Sequence, residues 1–338
     1  MINKSSGSDV RPFAGLTPDL VLDAAAAFGF ESDGRFFALN SYENRVYQLG
    51  RADSRGAWVL KFYRPRRWSD AQILEEHEFA AELAAAELPV AAPESVQGQT
   101  LFRYGSGPEP FRFAVFPWMR GRAPEMDAPG ARQILGRTIA RMHQVGARRP
   151  FRTRPAIAVE RLGKQARTQV LESGLLPDAL VTSYGHATRA LLDRIERAFD
   201  AAGDITHIRI HGDCHLGNLL WDEHGPIFVD LDDCVMGPRI QDLWMLLSGS
   251  AEEQQRQWSE LLEGYQQFAD FDFRELTLIE SLRGLRMLNH AAWIAQRWDD
   301  PAFPRAFPYF GEQRYWERHI SDLLEQIALI EDPPLMRG

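Results

Sequence analysis

Cysteine is scarce: Cys214 and Cys234 are the only two in 338 residues. Two thiols cannot form a disulfide framework, and they fit a reducing compartment. Long apolar runs are missing too. Nothing approaches the ~18 residues of a membrane span, and the opening Met1–Ser8 is polar where a signal peptide would be apolar. A cytoplasmic protein without a membrane partner is expected. There is no excess of basic residues either, since 38 Lys and Arg face 47 Asp and Glu for a formal charge of -9. A surface that tracks nucleic-acid phosphates normally needs that excess, so nucleic acid is not expected as the main partner. Internal repeats and low-complexity segments are absent, and a composition of 45% hydrophobic and 25% charged residues is that of an ordinary globular chain. The length exceeds one hydrophobic core, which predicts two domains or two lobes.

The pattern changes along the chain in a way that divides it. Thr17 and Pro18 read as the N-cap and first residue of a helix running to Phe28. From Phe36 to Tyr63 the residues become β-rich, with Val46–Leu49 and Trp58–Phe62 as strands of a hairpin. Ser69-Asp70 opens a helix over Ala71–Leu88, stopped by Pro89, and Phe113–Pro117 gives another strand. Beyond that, helical periodicity dominates at Ala131–His143, Leu180–Ala202, Glu252–Phe268, Glu275–Trp298 and Glu312–Ile330, broken by the short apolar runs Ile208–Ile210 and Ile227–Val229. The expected fold is α+β and two-lobed: a small lobe over 1–115 with an antiparallel sheet and one main helix, a hinge at 116–121, and a larger, mostly helical lobe over 122–338.

The polar residues are densest at His211-Gly212-Asp213-Cys214-His215-Leu216-Gly217-Asn218, with Asp230 twelve residues beyond Asn218 and then Leu231-Asp232-Asp233. A strand, a polar loop, a second strand and a carboxylate can place one Asp on a substrate hydroxyl while an Asn and another Asp hold magnesium on phosphates. Taken singly, these residues are ordinary strand ends, and Asp230, Asp232 and Asp233 could form a solvated turn. Asp213 as base, with Asn218 and Asp230 as metal ligands, explains them together.

With these residues the chain resembles the aminoglycoside phosphotransferase and choline kinase superfamily, relatives of protein kinases whose catalytic loop reads His-Gly-Asp. A narrower resemblance, to bacterial stress-response protein kinases of that superfamily, rests on Leu39–Tyr47, Lys61–Pro65, Val90–Pro93, His211–His215 and Val229–Asp233. The resemblance implies a kinase-like, two-lobed fold, ATP and Mg2+ as cofactors, and Asp213 and Asp230 as catalytic carboxylates. It further implies Lys61 on the phosphates with Glu76 as its helical partner, Ser41 as a phosphate contact in a loop lacking the usual glycines, and ATP against Phe116–Met119. Asp242 is expected to support the catalytic loop, and His215 to orient it.

Several functions remain open at this level. The resemblance implies a Ser/Thr protein kinase acting in the stress response, and a monomer is expected. A small-molecule hydroxyl kinase is the alternative, because Gly237 follows Asp230 by only seven positions, too few for a peptide-docking activation segment. The aromatic residues from Trp293 to Trp316 could bind a quaternary amine, although core packing is the commoner use of such residues. Asp270, Asp272, Asp299 and Asp300 could attract a cationic acceptor. A metal-dependent hydrolase would use His211, Asp213 and His215 as zinc ligands, leaving Asn218 and Asp230 unexplained.

Overall fold

The computed structural model describes residues 12–332 except 55 and 108; the polar opening Met1–Ser8 lies outside them. The small lobe begins with α1 (Pro18–Ala27), whose N-cap Thr17 hydroxyl accepts from the Leu20 amide. Strands β1 (Ser32–Leu39), β2 (Arg45–Arg51) and β3 (Ala57–Phe62) follow, then α2 (Asp70–Ala85), β4 (Phe102–Tyr104) and β5 (Phe111–Pro117). The strands form one antiparallel sheet in the order β1-β2-β3-β5-β4. Side chains alternate across a strand, so Leu60 and Phe62 join Leu49, Phe113 and Val115 in the core beneath α1. Val59 and Lys61 face the other way and line the cleft between the lobes.

Ser69 and Gln72 cap α2 reciprocally, an arrangement that satisfies two backbone donors at once. The helix was expected to reach Leu88 but ends at Ala85. Glu87 takes a left-handed conformation (φ 58°), and the Leu88 amide reaches back to the Leu83 carbonyl at 3.0 Å while Glu87 N bonds Ala84 O at 2.9 Å. This is the Schellman stop, with Glu in the usual glycine position and Leu83 packed near Leu88. β1 and β4 were not foreseen as separate strands. Ser32-Asp33-Gly34-Arg35 lacks apolar alternation and is irregular in register, and β4 has only three residues.

The large lobe contains α3 (Ala131–Gly146), a π-helical turn (Glu160–Gln165), α4 (Ala166–Glu172), α5 (Asp178–Ala202), β6 (Ile208–Ile210), β7 (Leu219–Asp222), β8 (Gly225–Phe228), β9 (Val235–Gly237), α6 (Gln241–Trp244), α7 (Ala251–Tyr265), α8 (Ile279–Gln296), α9 (Ala302–Ala306) and α10 (Gln313–Glu331). β6 pairs with β9, and β7 with β8. Glu275 lies in a separate 3-10 turn, Phe273–Leu278, so the helix expected from Glu275 starts only at Ile279. Helix α2 packs Phe79, Ala80 and Leu83 into the large-lobe core, while the α2–β4 connection docks on β8 through Phe228 N to Pro89 O (2.8 Å) and Ala91 N to Phe228 O (3.2 Å). β5 continues to Pro117, so the first two residues of the expected hinge are strand. After it, Arg122 exchanges backbone hydrogen bonds with Trp221, and Gly121 lies so close to Leu220 that an added Cβ would come within 2.7 Å of it. No helix among the described residues is long and apolar enough to cross a membrane.

Candidate active site

The loop after β6 is held from behind. Buried Asp242 accepts from the amides of His211 and Gly212, each at 2.8 Å, and from buried His143 at 3.2 Å, whose other ring nitrogen meets the Tyr265 hydroxyl at 2.9 Å. Gln241 adds a bond to the Gly212 carbonyl at 3.0 Å. Gly212 has φ 82°, and a Cβ there would stand 2.4 Å from the Asp233 carbonyl oxygen. The left-handed conformation alone costs a non-glycine residue about 1–2 kcal/mol, and the clash pushes apart the two acidic segments. Gly212→Ala is therefore expected to remove most activity while circular dichroism still reports a folded protein. Wild-type turnover in that variant would show that the close approach is dispensable.

Asp213, Asn218 and Asp230 line one cleft. Asn218 donates its side-chain amide to the Asp213 carbonyl (3.0 Å) and carboxylate (3.3 Å). Its backbone carbonyl accepts from Val229 N at 3.1 Å, and His211 Nε2 bonds the Val229 carbonyl at 3.0 Å, so the His211–Asn218 loop and the Asp230 segment are tied through one residue. That use of His211, together with its full burial, argues against a zinc site. No group of three or more His, Cys, Asp or Glu converges on a metal position among the described residues. His215 orients the loop instead: its Nδ1 accepts from Gly217 N at 2.9 Å and its Nε2 lies 3.4 Å from Asp213. Arg286 on α8 reaches Asp213 Oδ1 at 2.6 Å. Burial pushes the Asp213 carboxyl up, but the His215 hydrogen bond and the Arg286 guanidinium outweigh it and hold the group below the usual carboxylate range.

Across the cleft, Lys61 Nζ sits among three carboxylates: Asp232 at 2.8 Å, Glu76 at 3.1 Å and Asp230 at 3.2 Å. Lys61, Glu76 and Asp232 are all buried, whereas the Asp230 side chain is 55% exposed to the cleft. Asp232 therefore does not belong to a solvated turn. Arg67 pairs with Asp232 and with Asp233 (2.5 Å), and buried Arg154 joins Glu76 (3.1 Å) to the backbone carbonyls of Asp232 and Cys234. Burial would lower the Lys61 pKa, but Asp232, Glu76 and Asp230 raise it well above that of free lysine. Burial pushes Glu76 up despite Lys61 and Arg154. Asp230 itself has a left-handed backbone (φ 60°), which turns its side chain out of the strand path.

The cleft encloses about 900 Å³ and is also lined by Ser41, Phe116 and Met119. The loop carrying Ser41 is fastened at both sides. Glu43 receives Arg64 (3.1 Å), Trp293 Nε1 (2.5 Å) and Arg297 (2.6 Å), and Asp300 receives Arg64 (2.7 Å) and Arg45 (3.3 Å). This ties the small-lobe loop to α8 and the segment before α9. Asp300 is thus committed to structure, and Asp272 pairs with Arg274 at 2.6 Å. Trp316, Phe310 and Phe303 are fully buried, while Trp293 and Phe307 reach the cleft. Residues that sequence reasoning did not single out are Arg67, Arg154, Arg161, Arg286 and Glu43. Only the charge of each was visible, since the ion partners of Arg67, Arg154, Arg286 and Glu43 lie far off in the chain and nothing local marks Arg161.

Residues 36–279 match the phosphotransferase enzyme family designated APH, and the chain belongs to that family, with its kinase-like α+β fold. It is a phosphotransferase. The relatives it matches include stress response kinase A of Escherichia coli, at 43% identity over 96% of both chains. They also include the serine/threonine protein kinase RdoA of Salmonella typhimurium, at 42% identity with the same coverage. Among solved structures, the amicoumacin kinase hAmiN with AMP-PNP, Ca2+ and Ami shares the fold at TM-score 0.72 and 21% identity, covering 94% of both chains. A microcompartment-associated aminopropanol kinase does so at TM-score 0.70 and 19% identity, covering 95% of this chain and 99% of its own.

Proposed function

We propose that this protein transfers the γ-phosphoryl group of ATP, with magnesium, to Ser or Thr hydroxyls of proteins as part of a stress response. The observation that carries the chemistry is the convergence of Asp213, Asn218, Asp230 and Lys61 on one cleft; the names of its relatives support the protein acceptor and the stress role. ATP lies between the lobes, its base against Phe116–Met119 and its phosphates near Ser41 and Lys61, with residues 1–115 above and 122–338 below. The acceptor oxygen attacks the γ-phosphorus, the bond to the β–γ bridging oxygen breaks, ADP leaves, and Asp213 takes the hydroxyl proton. Asn218 and Asp230 suit magnesium, which takes one or two carboxylates with phosphates and water rather than a full protein cage, and it would neutralise charge on the phosphates. Asn218 keeps its side-chain oxygen free for this because its amide nitrogen is spent on Asp213.

A small-molecule acceptor is the second reading. One observation favours it: after Asp230 the chain enters a 3-10 turn at Leu231–Asp233 and then β9, leaving no room for the activation segment on which ordinary protein kinases dock a peptide. Labelled ATP with magnesium, offered with a protein mixture and with small alcohols, separates the two by where label appears. In the same assay Asp230→Ala is expected to lose transfer and to weaken magnesium-dependent nucleotide binding as well. Unchanged binding in that variant would remove Asp230 from the metal site.

A further inference from the structure

The large-lobe wall of the cleft carries two arginines whose charge the rest of the site does not fully absorb. Arg161 stands on the π-helical turn Glu160–Gln165, a local geometry often found at functional sites. Its Nε is buried without a hydrogen-bond partner, and its Nη2 bonds only the Ala156 carbonyl at 3.2 Å. A buried polar group left unsatisfied is costly unless something binds it. Arg286 projects from α8 onto Asp213 at 2.6 Å and is 45% exposed at its side chain. Ile157, Leu162, Leu282 and Leu285 line the same cleft with apolar side chains. The turn and α8 pack together, since a Cβ on Gly163 would strike Leu285 at 3.0 Å.

We propose that these two arginines recognise an anionic group next to the acceptor hydroxyl, so that the favoured substrate is a Ser or Thr flanked by acidic or phosphorylated residues. The inference rests on Asp213 being the base. In the free enzyme Arg286 caps that base. An incoming carboxylate or phosphate competes for the guanidinium in a charge-assisted, bidentate fashion, and Asp213 Oδ1 is released to take the hydroxyl proton as the new O–P bond forms and ADP departs. A cationic acceptor finds much less. The cleft carboxylates Glu43 and Asp232 are already paired with arginine or lysine, and Asp213 and Asp230 are occupied by the chemistry. The net charge of -9 does not oppose an acidic substrate at this range, because salt screens charges beyond about 8–10 Å.

The test uses the full-length protein with ATP, magnesium and Ser peptides flanked by Asp, Ala or Lys, together with glycerate and glycerol as free hydroxyl compounds with and without an anion. The Asp peptide is expected to exceed the Lys peptide in kcat/KM by about tenfold or more, roughly what one charge-assisted contact provides. Arg161→Gln should raise KM for the Asp peptide while leaving KM for ATP and kcat at saturating peptide near wild type; a merely structural role would disturb all three. Fluorescence anisotropy of the labelled Asp peptide with AMP-PNP gives a second readout that needs no turnover, and this binding should weaken by about tenfold in Arg161→Gln. Use of glycerate but of no peptide assigns the anion to a free hydroxy acid and overturns the peptide source. Preference for the Lys peptide, or failure of every anionic probe to bind, overturns the inference altogether. If magnesium-dependent ATP binding is itself absent, it is the phosphotransferase site that fails.

Discussion

Asp213→Ala is expected to reduce kcat by about a hundred- to ten-thousand-fold, the range for removing a positioned general base, while the affinity for nucleotide changes little. The reason lies in the division of the cleft. In the proposed site Lys61, Asp230 and the Ser41 loop meet the nucleotide, whereas Asp213, which is bonded to Asn218, His215 and Arg286, meets the acceptor. Isotope transfer and nucleotide binding, measured on the same sample, check both halves. The pH profile gives an independent view. Because His215 and Arg286 hold the Asp213 carboxyl below the usual carboxylate range, the base stays ionised as the solution is acidified, and the acid limb of kcat/KM should fall below the ordinary Asp value of about 3.9. The same depression contributes folding stability above the unfolded-state pKa, and that contribution is lost as pH falls through the folded value. Full turnover by Asp213→Ala would transfer the base role to another group.

How far this site can be read from the chain depends on the sequence distance over which each part is specified. The polar loop lies within eight residues, His211 to Asn218, and Asp230 follows just past the β7–β8 hairpin, so spacing alone brings Asp213, Asn218 and Asp230 into one account. The sheet was legible where apolar residues alternate, as at Trp58–Phe62, and illegible at β4, β7 and β9, where three or four residues carry no period. The interiors of the long helices were clear but their ends were not, and the short α4 and α9 were not read at all. The stop of α2 depends on Glu87 adopting a conformation that no residue type there announces.

Charge partners are the part that no local pattern encodes. Arg64 and Arg67 follow β3 closely, yet they meet Asp300, Glu43, Asp232 and Asp233, some of them more than 150 positions away. The separation has a structural consequence. Glu43 connects the loop that carries Ser41 to Trp293 on α8 and to Arg297 just past its end, and Arg286 on the same helix touches Asp213. One helix thus holds both the Ser41 loop, through Glu43, and Asp213, so a change in its placement moves the two together.

Asp232→Asn should be the most destabilising change in this network that preserves side-chain shape. Asp232 is 2% exposed and lies between Lys61, at 2.8 Å, and Arg67. Burial opposes its charge, but Arg67 and then Lys61 prevail and hold its pKa below the usual carboxylate range. An amide in its place leaves two buried cations short of a partner, and removing one member of such a pair costs about 3–5 kcal/mol. The sign of the pH effect follows from that depression. The carboxylate contributes its stability above the unfolded Asp pKa of about 3.9 and loses it as pH falls through the lower folded value. Denaturant unfolding of wild type and Asp232→Asn should therefore differ most near neutral pH, with the gap closing in strong acid. Lys61 would retain Glu76 and Asp230 but lose its shortest contact, so activity should fall along with stability. Equal unfolding midpoints at pH 7 would mean that Lys61 and Arg67 are neutralised by Glu76, Asp233 and Glu43 without Asp232.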